Sequence, residues 1–258
     1  MKVAVITPYY KEPLEMLLRC HESVLQQTYP CVHFMVADGH PKEEVASWSV
    51  QHSALAVSHA DAGNTPRSFG GMSAFNQGFD AVAYLDADNW YASEHIESLV
   101  EVCQNQKVAV AFADRQLILP TGELCHFDDK DVLERKHVDT SCFFITAAAA
   151  SLAPLWGMIE PNISAACDRV LFHVIKQRAI SYGWSKKKTL YFETRYAPHF
   201  KRMGQPPPPD EHWFDWAAIR ASYSPERSFA RLGFHLFSEA AVRKMREEAE
   251  RYLSRKAR

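Results

Sequence analysis

The sequence lacks the marks of a secreted, zinc-stabilised or membrane-spanning protein. Its six cysteines include no Cys-x-x-Cys pair, and no histidine lies at zinc-finger spacing, which favours buried, reduced thiols over disulfides or structural zinc. The apolar residues 3–6 are too few for the core of a signal peptide, and no apolar run reaches the length that crosses a membrane. We therefore predict a cytoplasmic protein without a transmembrane segment, either free or peripheral to the inner face of a membrane.

A strong net charge is also missing. The 258 residues carry 29 Lys and Arg against 31 Asp and Glu, a formal net charge of −2, which argues against nucleic acid as the main partner. The charge is nevertheless uneven, since residues 217–258 hold 10 basic and 5 acidic side chains. The mixed charges over residues 243–250 favour a solvated helix or a contact between copies of the chain, whereas the apolar side chains over 229–237 leave contact with an anionic membrane open.

What the sequence does contain is a regular alternation of strand and helix patterns over its first 115 residues. Strands are predicted over residues 3–6, 32–37, 55–58, 81–85 and 108–113. Helices are predicted over residues 13–27, 43–51, 73–79 and 93–104, and residues 61–71, which contain Gly and Pro, are predicted to form a loop. Such alternation is typical of an α/β fold built on a parallel sheet.

The pattern is less regular after residue 115. The sequence predicts a hairpin over residues 116–127, a strand over 138–146, helices over 147–156 and 164–181, and a further strand over 190–196. The four consecutive prolines at residues 206–209 predict a stiff, extended connector, and a charged helix is predicted from residue 238 onward. The chain is long enough for one large domain with a C-terminal appendage.

Acidic side chains follow two of the predicted strands. Asp86 and Asp88 come directly after residues 81–85, and Asp38 ends the second strand. Ligands of open α/β sheets bind beyond the carboxyl ends of the strands, and Mg²⁺ or Mn²⁺ commonly links one or two carboxylates to the phosphates of a substrate. Taken alone, a pair such as Asp86 and Asp88 is more typical of a turn or a helix cap. A metal site is therefore predicted here only in combination with other motifs.

Three stretches in combination resemble the family 2 glycosyltransferases of the GT-A fold. They are Thr7-Pro8-Tyr9-Tyr10 after the first strand, Asp38 at the end of the second, and Leu85-Asp86-Ala87-Asp88-Asn89 after the fourth. The resemblance is close over residues 1–115 and loose over 137–200. It implies an α/β fold with a mixed, mainly parallel sheet flanked by helices. It also implies a catalytic domain over residues 1–203, with a nucleotide-sugar-binding half (1–115) and an acceptor half (116–203), and a Pro-rich connector with a basic helical extension over 204–258.

For the donor, the resemblance implies a nucleotide sugar, usually a uridine diphosphate sugar, with Mn²⁺ or Mg²⁺ as cofactor. The metal would offset the charge of the departing diphosphate. The implied roles are contact with the base for Pro8, Tyr9 and Glu12, a hydrogen bond to the uracil for Asp38, contact with the ribose for Asp86, and metal binding for Asp88.

Two further residues are candidates for the same site, each with an alternative. Many members of the family carry an arginine where this chain has Phe75, so Arg67 is predicted to serve the diphosphate instead, unless it is a solvated loop charge. His199 is predicted to be a second metal ligand, as in some GT-A enzymes, unless it is a hydrogen-bonded loop histidine.

A catalytic base is also implied, because family members invert the anomeric carbon by direct displacement and a carboxylate must take the proton of the acceptor hydroxyl. The family usually has a Glu-Asp pair at the start of a helix in the acceptor half, and the matching residues here are Cys167 and Asp168. Asp168 is therefore predicted to be the base, with Asp139 in reserve. The alternative for Asp168 is a helix N-terminal acid paired with Arg169, and His137 has no motif to recommend it.

The acceptor is described least by the sequence. The resemblance implies a glycan or a lipid-linked acceptor, and the absence of a Gln-x-x-Arg-Trp motif after Asp168 argues against a processive synthase. An aromatic group near the C-terminus could either line the acceptor site or pack the extension against the core. It consists of Trp213, Phe214 and Trp216.

Two rival functions remain open. A nucleotidyltransferase would normally carry a Gly-rich loop after the first strand, but residues 7–13 contain no glycine. A non-catalytic subunit that binds nucleotide sugars or acts as a scaffold would explain why Cys167 and Phe75 replace the family's usual residues.

Overall fold

The computed structural model of the chain describes residues 1–127, 137–209, 211, 215–233 and 238–256. Its strands are β1 (Val3–Tyr9), β2 (Cys31–Asp38), β3 (Gln51–Leu55), β4 (Ala81–Tyr84), β5 (Trp90–Tyr91), β6 (Val110–Ile118), β7 (Phe143–Thr146) and β8 (Tyr182–Glu193). Its α-helices are α1 (Leu14–Leu25), α2 (Glu43–Ala46), α3 (Asn64–Asn76), α4 (His95–Gln106), α5 (Leu155–Met158), α6 (Cys167–Gln177), α7 (Ala197–Arg202), α8 (Trp216–Ser222), α9 (Pro225–Leu232) and α10 (Glu239–Lys256).

The strands form one mixed sheet in the order β3-β2-β1-β4-β7-β6-β8-β5. The four strands β1 to β4 run parallel, as the alternation of patterns predicts. β7 is antiparallel to both of its neighbours, β4 and β6, and β5 is antiparallel to β8. The predicted mixed, mainly parallel sheet flanked by helices is therefore confirmed.

The core forms where apolar strands meet the apolar stripes of the helices. Every residue of β1 and β4 is buried, as expected of central strands that are covered on both faces. Helix α4 buries a stripe that includes Ile96, Leu99 and Cys103, spaced three and four residues apart. All six cysteines are free thiols and five of them are buried.

Helix α3 corrects the prediction of a loop over residues 61–71 followed by a short helix. A single helix runs from Asn64 to Asn76 and contains Gly70 and Gly71. A Cβ atom on Gly70 would lie 2.5 Å from Cγ2 of Ile6, and one on Gly71 would lie 2.8 Å from the hydroxyl of Tyr84. The glycines therefore allow the helix to pack closely on β1 and β4, and the prediction was wrong because it took them as signals of a turn.

Several element boundaries also differ from the prediction. β3 ends at Leu55, where the predicted third strand begins. β8 begins at Tyr182 rather than at residue 190. The prediction missed its first part because three consecutive exposed lysines at 186–188 interrupt the apolar pattern of a strand, at a point where Lys186 has a positive φ of 57°. The predicted helix over 147–156 is a 3₁₀ segment, Ala147–Leu152, followed by α5.

The C-terminal extension packs against the second half of the chain. Leu232 and Val242 are buried, the hydroxyl of Ser228 donates to Oε1 of Glu160 at 2.7 Å, and Arg178 donates to the carbonyl of Leu232 at 3.2 Å. The helix predicted from residue 238 is α10, whereas α8 and α9 were not predicted. Residues 206–209 are irregular, as the prolines predict. Trp213, Phe214, Phe234, Leu236 and Phe237, on which the acceptor-wall and membrane-contact predictions partly depend, lie outside the described residues.

Among the described helices, none is both long and apolar enough to cross a membrane. The division into a domain over 1–203 and an extension over 204–258 stays a prediction, as do the location in the cell and the contact between copies of the chain.

The close packing of α3 gives a direct test. Gly70→Ala should lower the free energy of unfolding by about 1–3 kcal/mol, because the added methyl group meets Ile6 in a filled core. Chemical denaturation of the purified protein measures the change. Met72→Ala, at an exposed position of the same helix, is the matched control and should have little effect. A gain in stability for Gly70→Ala, the usual result of replacing a glycine inside a helix, would contradict the close approach.

Candidate active site

A large cleft lies at the edge of the sheet where β1, β2 and β4 end. Its volume is about 1220 Å³, which is enough for a ligand larger than most drugs. Nine residues predicted for the donor, metal and base sites line this cleft: Pro8, Tyr9, Glu12, Asp38, Arg67, Asp86, Asp88, Asp168 and His199. The reserve base, Asp139, lines it too.

The register of the parallel strands explains why these residues meet. Val3 of β1 is aligned with Cys31 of β2 and with Ala81 of β4, so the three strands end at the same edge. The loop after β4 is held by Ser141, whose hydroxyl accepts from the backbone N–H of Asp86 at 3.0 Å and from the side chain of Asn89 at 3.3 Å.

Asp38 anchors a loop at one end of the cleft. Its buried carboxylate accepts from the backbone N–H of His59 at 3.0 Å, contacts Nδ1 of His59 at 2.7 Å, and accepts from the hydroxyl of Ser58 at 3.3 Å. Gly39 has a φ of 78°, and a Cβ there would lie 2.5 Å from the nitrogen of Ser58. The loop therefore passes so close to β2 that only glycine fits at this position.

Tyr9 and Glu12 shape the turn that follows β1. The buried hydroxyl of Tyr9 contacts Nε2 of His52 at 2.8 Å and accepts from the backbone N–H of Lys42 at 3.0 Å, and burial raises the pKa of Tyr9. Oε2 of Glu12 accepts from the backbone N–H of Tyr10 at 2.6 Å. Both polar groups therefore have partners within the protein, and their predicted contacts with the base stay predictions.

Arg67 is a buried residue of α3 and not a solvated loop charge, so that alternative is wrong. Its Nη2 donates to Oδ1 of Asp86 at 2.6 Å, and its Nη1 donates to the carbonyl of Ala62 at 2.7 Å and to the side chain of Asn64 at 3.1 Å. The guanidinium thus holds one acid of the pair after β4. Its predicted contact with a diphosphate stays a prediction.

Asp88 lies among other acids. Burial raises its pKa to about 7, and the charges of Asp86 and Asp139 act in the same direction. The backbone carbonyl of Asp88 accepts from Nη2 of Arg19 at 2.9 Å, and Arg19 is itself paired with Glu193 at 2.8 Å. A cation near this carboxylate would relieve the repulsion between the acids, which suits the chemistry of a metal ligand.

His199 lies on α7 rather than in a loop. Its Nδ1 contacts the hydroxyl of Thr194 at 2.7 Å, and its ring packs against that of Tyr196. In the part of the chain that the structure describes, no three His, Cys, Asp or Glu side chains are grouped so that they could hold a metal ion by themselves. A metal at Asp88 would therefore need ligands from a substrate or water, and the role of His199 stays a prediction.

Asp168 lines the same cleft and lies in the first turn of α6. Its Oδ1 accepts from the backbone N–H of Arg169 at 2.6 Å, and its Oδ2 is 2.5 Å from Nε2 of His137. Burial pushes the pKa of Asp168 upward, but the charge and hydrogen bond of His137, together with Arg169, outweigh it and lower the pKa. The neighbouring Cys167 is a neutral thiol, because burial raises its pKa to about 12.

Asp139 is held more tightly than Asp168. Its Oδ2 accepts from Nη1 of Arg115 at 2.8 Å, and its Oδ1 accepts from the backbone N–H of Ser141 at 3.0 Å, which caps a short 3₁₀ segment. The side chain is only 7% exposed, against 16% for Asp168. Asp139 is therefore the less accessible of the two candidate bases.

Arg115 and His137 line the cleft although the sequence analysis assigned them no role there, whereas Trp216 was a candidate wall of the acceptor site and Arg169 a candidate partner of Asp168. Arg169 and Trp216 line the cleft as well, and the guanidinium of Arg169 lies 5.6 Å from the ring centroid of Trp216. Neither Arg115 nor His137 belongs to a motif with a recognisable spacing.

Comparison with known proteins agrees with this arrangement. The family model described as "Glycosyl transferase family 2" matches residues 4–140, just over half of the chain. A comparison with curated protein sequences finds no match.

Solved structures of S. aureus TarS share the fold. TarS 1–349 in complex with UDP-GlcNAc is 13% identical, with a TM-score of 0.59, over 96% of this chain and 71% of that chain. The complex of TarS 1–349 with UDP gives 12% identity and a TM-score of 0.58 over 96% and 70%. A further TarS structure gives 13% identity and a TM-score of 0.56, but this chain covers only 38% of it. The mixed sheet and its likeness to these structures show the GT-A fold. Because the family model matches more than half of the chain, the protein belongs to glycosyl transferase family 2 and is a glycosyltransferase of the GT-A fold.

Proposed function

We propose that this enzyme transfers one sugar from a uridine diphosphate sugar to an acceptor hydroxyl, with inversion at the anomeric carbon and with a divalent metal. One observation carries the proposal: a single cleft is lined both by the acids Asp86 and Asp88 and by the partly exposed, ionised carboxylate of Asp168. The crystal structures of TarS with UDP and UDP-GlcNAc support uridine as the nucleotide.

The donor binds at the end of the cleft formed by β1 and β2. Pro8, Tyr9 and Glu12 border the base, Asp38 hydrogen-bonds the uracil, and Asp86 faces the ribose. Arg67 holds Asp86 in place through their 2.6 Å ion pair and adds a positive charge on the diphosphate side.

Mn²⁺ or Mg²⁺ would be held by Asp88, with His199 as a second protein ligand. The residues fit this role because Asp88 is a hard oxygen ligand in a crowd of like charges, and ions of this kind commonly use one or two carboxylates plus substrate phosphates. When bound, the metal supplies charge compensation for the departing diphosphate.

Asp168 acts as the general base. The acceptor oxygen attacks the anomeric carbon, the bond from that carbon to the diphosphate oxygen breaks, and its electron pair leaves with the nucleotide. The proton of the acceptor hydroxyl passes to the carboxylate of Asp168. The lowered pKa keeps Asp168 ionised and ready to accept this proton at neutral pH.

The acceptor, a glycan or a lipid-linked sugar, approaches from the side of Arg169 and Trp216. Trp216 is 40% exposed although it is large and apolar, and it lines the cleft beside the base. Aromatic rings of this kind offer a flat apolar surface with a polar edge, which suits the face of a sugar ring. We propose transfer of one sugar rather than processive synthesis, because no Gln-x-x-Arg-Trp motif follows Asp168.

The experiment that tests this function is a thermal-shift screen with UDP and UDP-GlcNAc, with and without Mn²⁺. A ligand that binds only the native state raises Tm by mass action. The wild-type protein should be stabilised by a uridine diphosphate species in a metal-dependent way, and Asp88→Ala should lose the effect. Glu43→Ala, an exposed acid of α2, is the control and should respond like the wild type. Equal increases in Tm for Asp88→Ala and the wild type would contradict the proposed metal site at Asp88.

Asp88 should also show a trade-off between stability and function that depends on pH. Its raised pKa means that the ionised form is disfavoured in the folded state, so stability falls as the pH rises from about 4, the usual pKa of an aspartate, to about 7 and levels off above it. Asp88→Asn should therefore raise Tm at pH 8, where the wild-type carboxylate is charged, and change it much less at pH 5, where that carboxyl is protonated. Thermal denaturation at both pH values without metal measures this, and an equal effect at the two would contradict it.

Asp168→Asn separates binding from transfer. The variant should bind UDP with Mn²⁺ like the wild type, because Asp168 is proposed to act on the acceptor and not on the donor. Release of UDP from UDP-GlcNAc, to an acceptor or slowly to water, should fall about 10²-fold or more, since the general base is lost. Asp139→Asn should instead lower stability, because it removes the charge of a buried ion pair with Arg115. A protein that binds donor but releases no UDP with any acceptor would instead be the scaffolding subunit.

A further inference from the structure

His137 contacts the carboxylate of the proposed base, and no motif marked it. Its side chain is 8% exposed, it lines the cleft, and its Nε2 lies 2.5 Å from Oδ2 of Asp168, 31 residues further along the chain. We propose that His137 is a positioning residue that orients the carboxylate of Asp168 toward the acceptor and holds it in its ionised form. This inference rests on the proposed role of Asp168 as the base.

The hydrogen-bond roles follow from the chemistry of the two groups. An ionised carboxylate can only accept hydrogen bonds, so Nε2 of His137 must carry the hydrogen and donate it. Oδ1 of Asp168 accepts from the backbone N–H of Arg169, so each oxygen has one fixed donor. Two donors at two oxygens fix the plane of the carboxylate, and its remaining lone pairs are left for the acceptor proton.

The charges around this pair make the role of His137 specific. Asp139 faces Asp168 and repels it, and Arg115 compensates Asp139 directly. Arg169 lies on the same helix as Asp168 and contributes less than His137 to its lowered pKa. Among the described residues, further titratable groups that interact with the carboxylate are Cys142, Cys167 and Tyr196. Burial raises the pKa of each, so they are neutral at physiological pH.

The other ring nitrogen of His137 also suits a positioning role better than a purely structural one. Within the residues that the structure describes, Nδ1 is buried and has no hydrogen-bond partner. A buried polar atom without a partner destabilises the folded state, and a functional role is one reason for its presence in a native structure. The pair with Asp168 is therefore the interaction for which this histidine is placed.

Three variants separate orientation from simple packing. His137→Phe keeps a ring of similar size but removes the donor, whereas His137→Gln places an amide N–H close to the position of Nε2. His126→Gln changes an exposed histidine outside the cleft and is the matched control. All variants are first compared by Tm and by their affinity for UDP with Mn²⁺, which should match the wild type.

The first measurement needs no substrate. The pKa of the Asp168 carboxyl is followed by carbon-13 NMR, with Asp168→Asn used for assignment. We expect this pKa to rise in His137→Phe, because a hydrogen bond and a favourable charge are lost, to rise less in His137→Gln, and to stay the same in His126→Gln. An unchanged pKa in His137→Phe would overturn the proposal.

The second measurement is the pH profile of UDP release from UDP-GlcNAc with Mn²⁺. His137→Phe should lower the rate about tenfold or more at neutral pH and move the acidic limb to higher pH, because the base is misplaced and holds its proton longer. His137→Gln should recover most of the rate. In the Asp168→Asn background, His137→Phe should cause no further loss, since it acts only through Asp168.

The two proposals fail in different ways. If Asp168→Asn is as active as the wild type, the proposed base is wrong. If Asp168→Asn lowers the rate as predicted but His137→Phe keeps the wild-type rate and pH profile, the positioning role of His137 is wrong while the base stands. The same holds if His137→Phe lowers the residual rate of Asp168→Asn by as much as it lowers the wild-type rate.

Discussion

The active-site cleft depends on keeping several carboxylates of like charge close together. Three of them are each paired with a basic side chain from elsewhere in the chain: Asp86 with Arg67, Asp139 with Arg115, and Asp168 with His137. Within the described residues no such partner accompanies Asp88, whose pKa rises to about 7. A divalent cation at Asp88 would complete the same pattern of charge compensation, and this is the physical basis of the proposed metal site.

The pairs are positioned by the packing of the fold. Arg67 reaches Asp86 because α3 lies directly on the sheet, which the missing side chains of Gly70 and Gly71 allow. Arg115 lies on β6 at a shift in its register with β8. These three acids therefore have nearly fixed partners before any substrate binds, so this part of the cleft is pre-organised and needs little reorganisation during transfer.

The same cleft gives two aspartates opposite properties. Burial and the neighbouring acids raise the pKa of Asp88, whereas His137 and Arg169 lower the pKa of Asp168. Environments that shift the pKa values of two carboxylates in opposite directions commonly give the two groups different chemical roles within one site. Here they distinguish a carboxylate that a cation would stabilise from one that is ready to accept a proton, as the proposed roles require.

The sequence by itself determined the parallel first half of the sheet, the cleft at its edge and the acids that line it, because a strand pattern followed by a polar residue is a local signal. It misjudged α3 because packing against Ile6 and Tyr84 outweighs the turn tendency of glycine. Only the tertiary structure decided which cation holds which acid, since these partners lie 19, 24 and 31 residues apart along the chain. Local spacing carries no record of such pairs, because they form only when separate elements pack together.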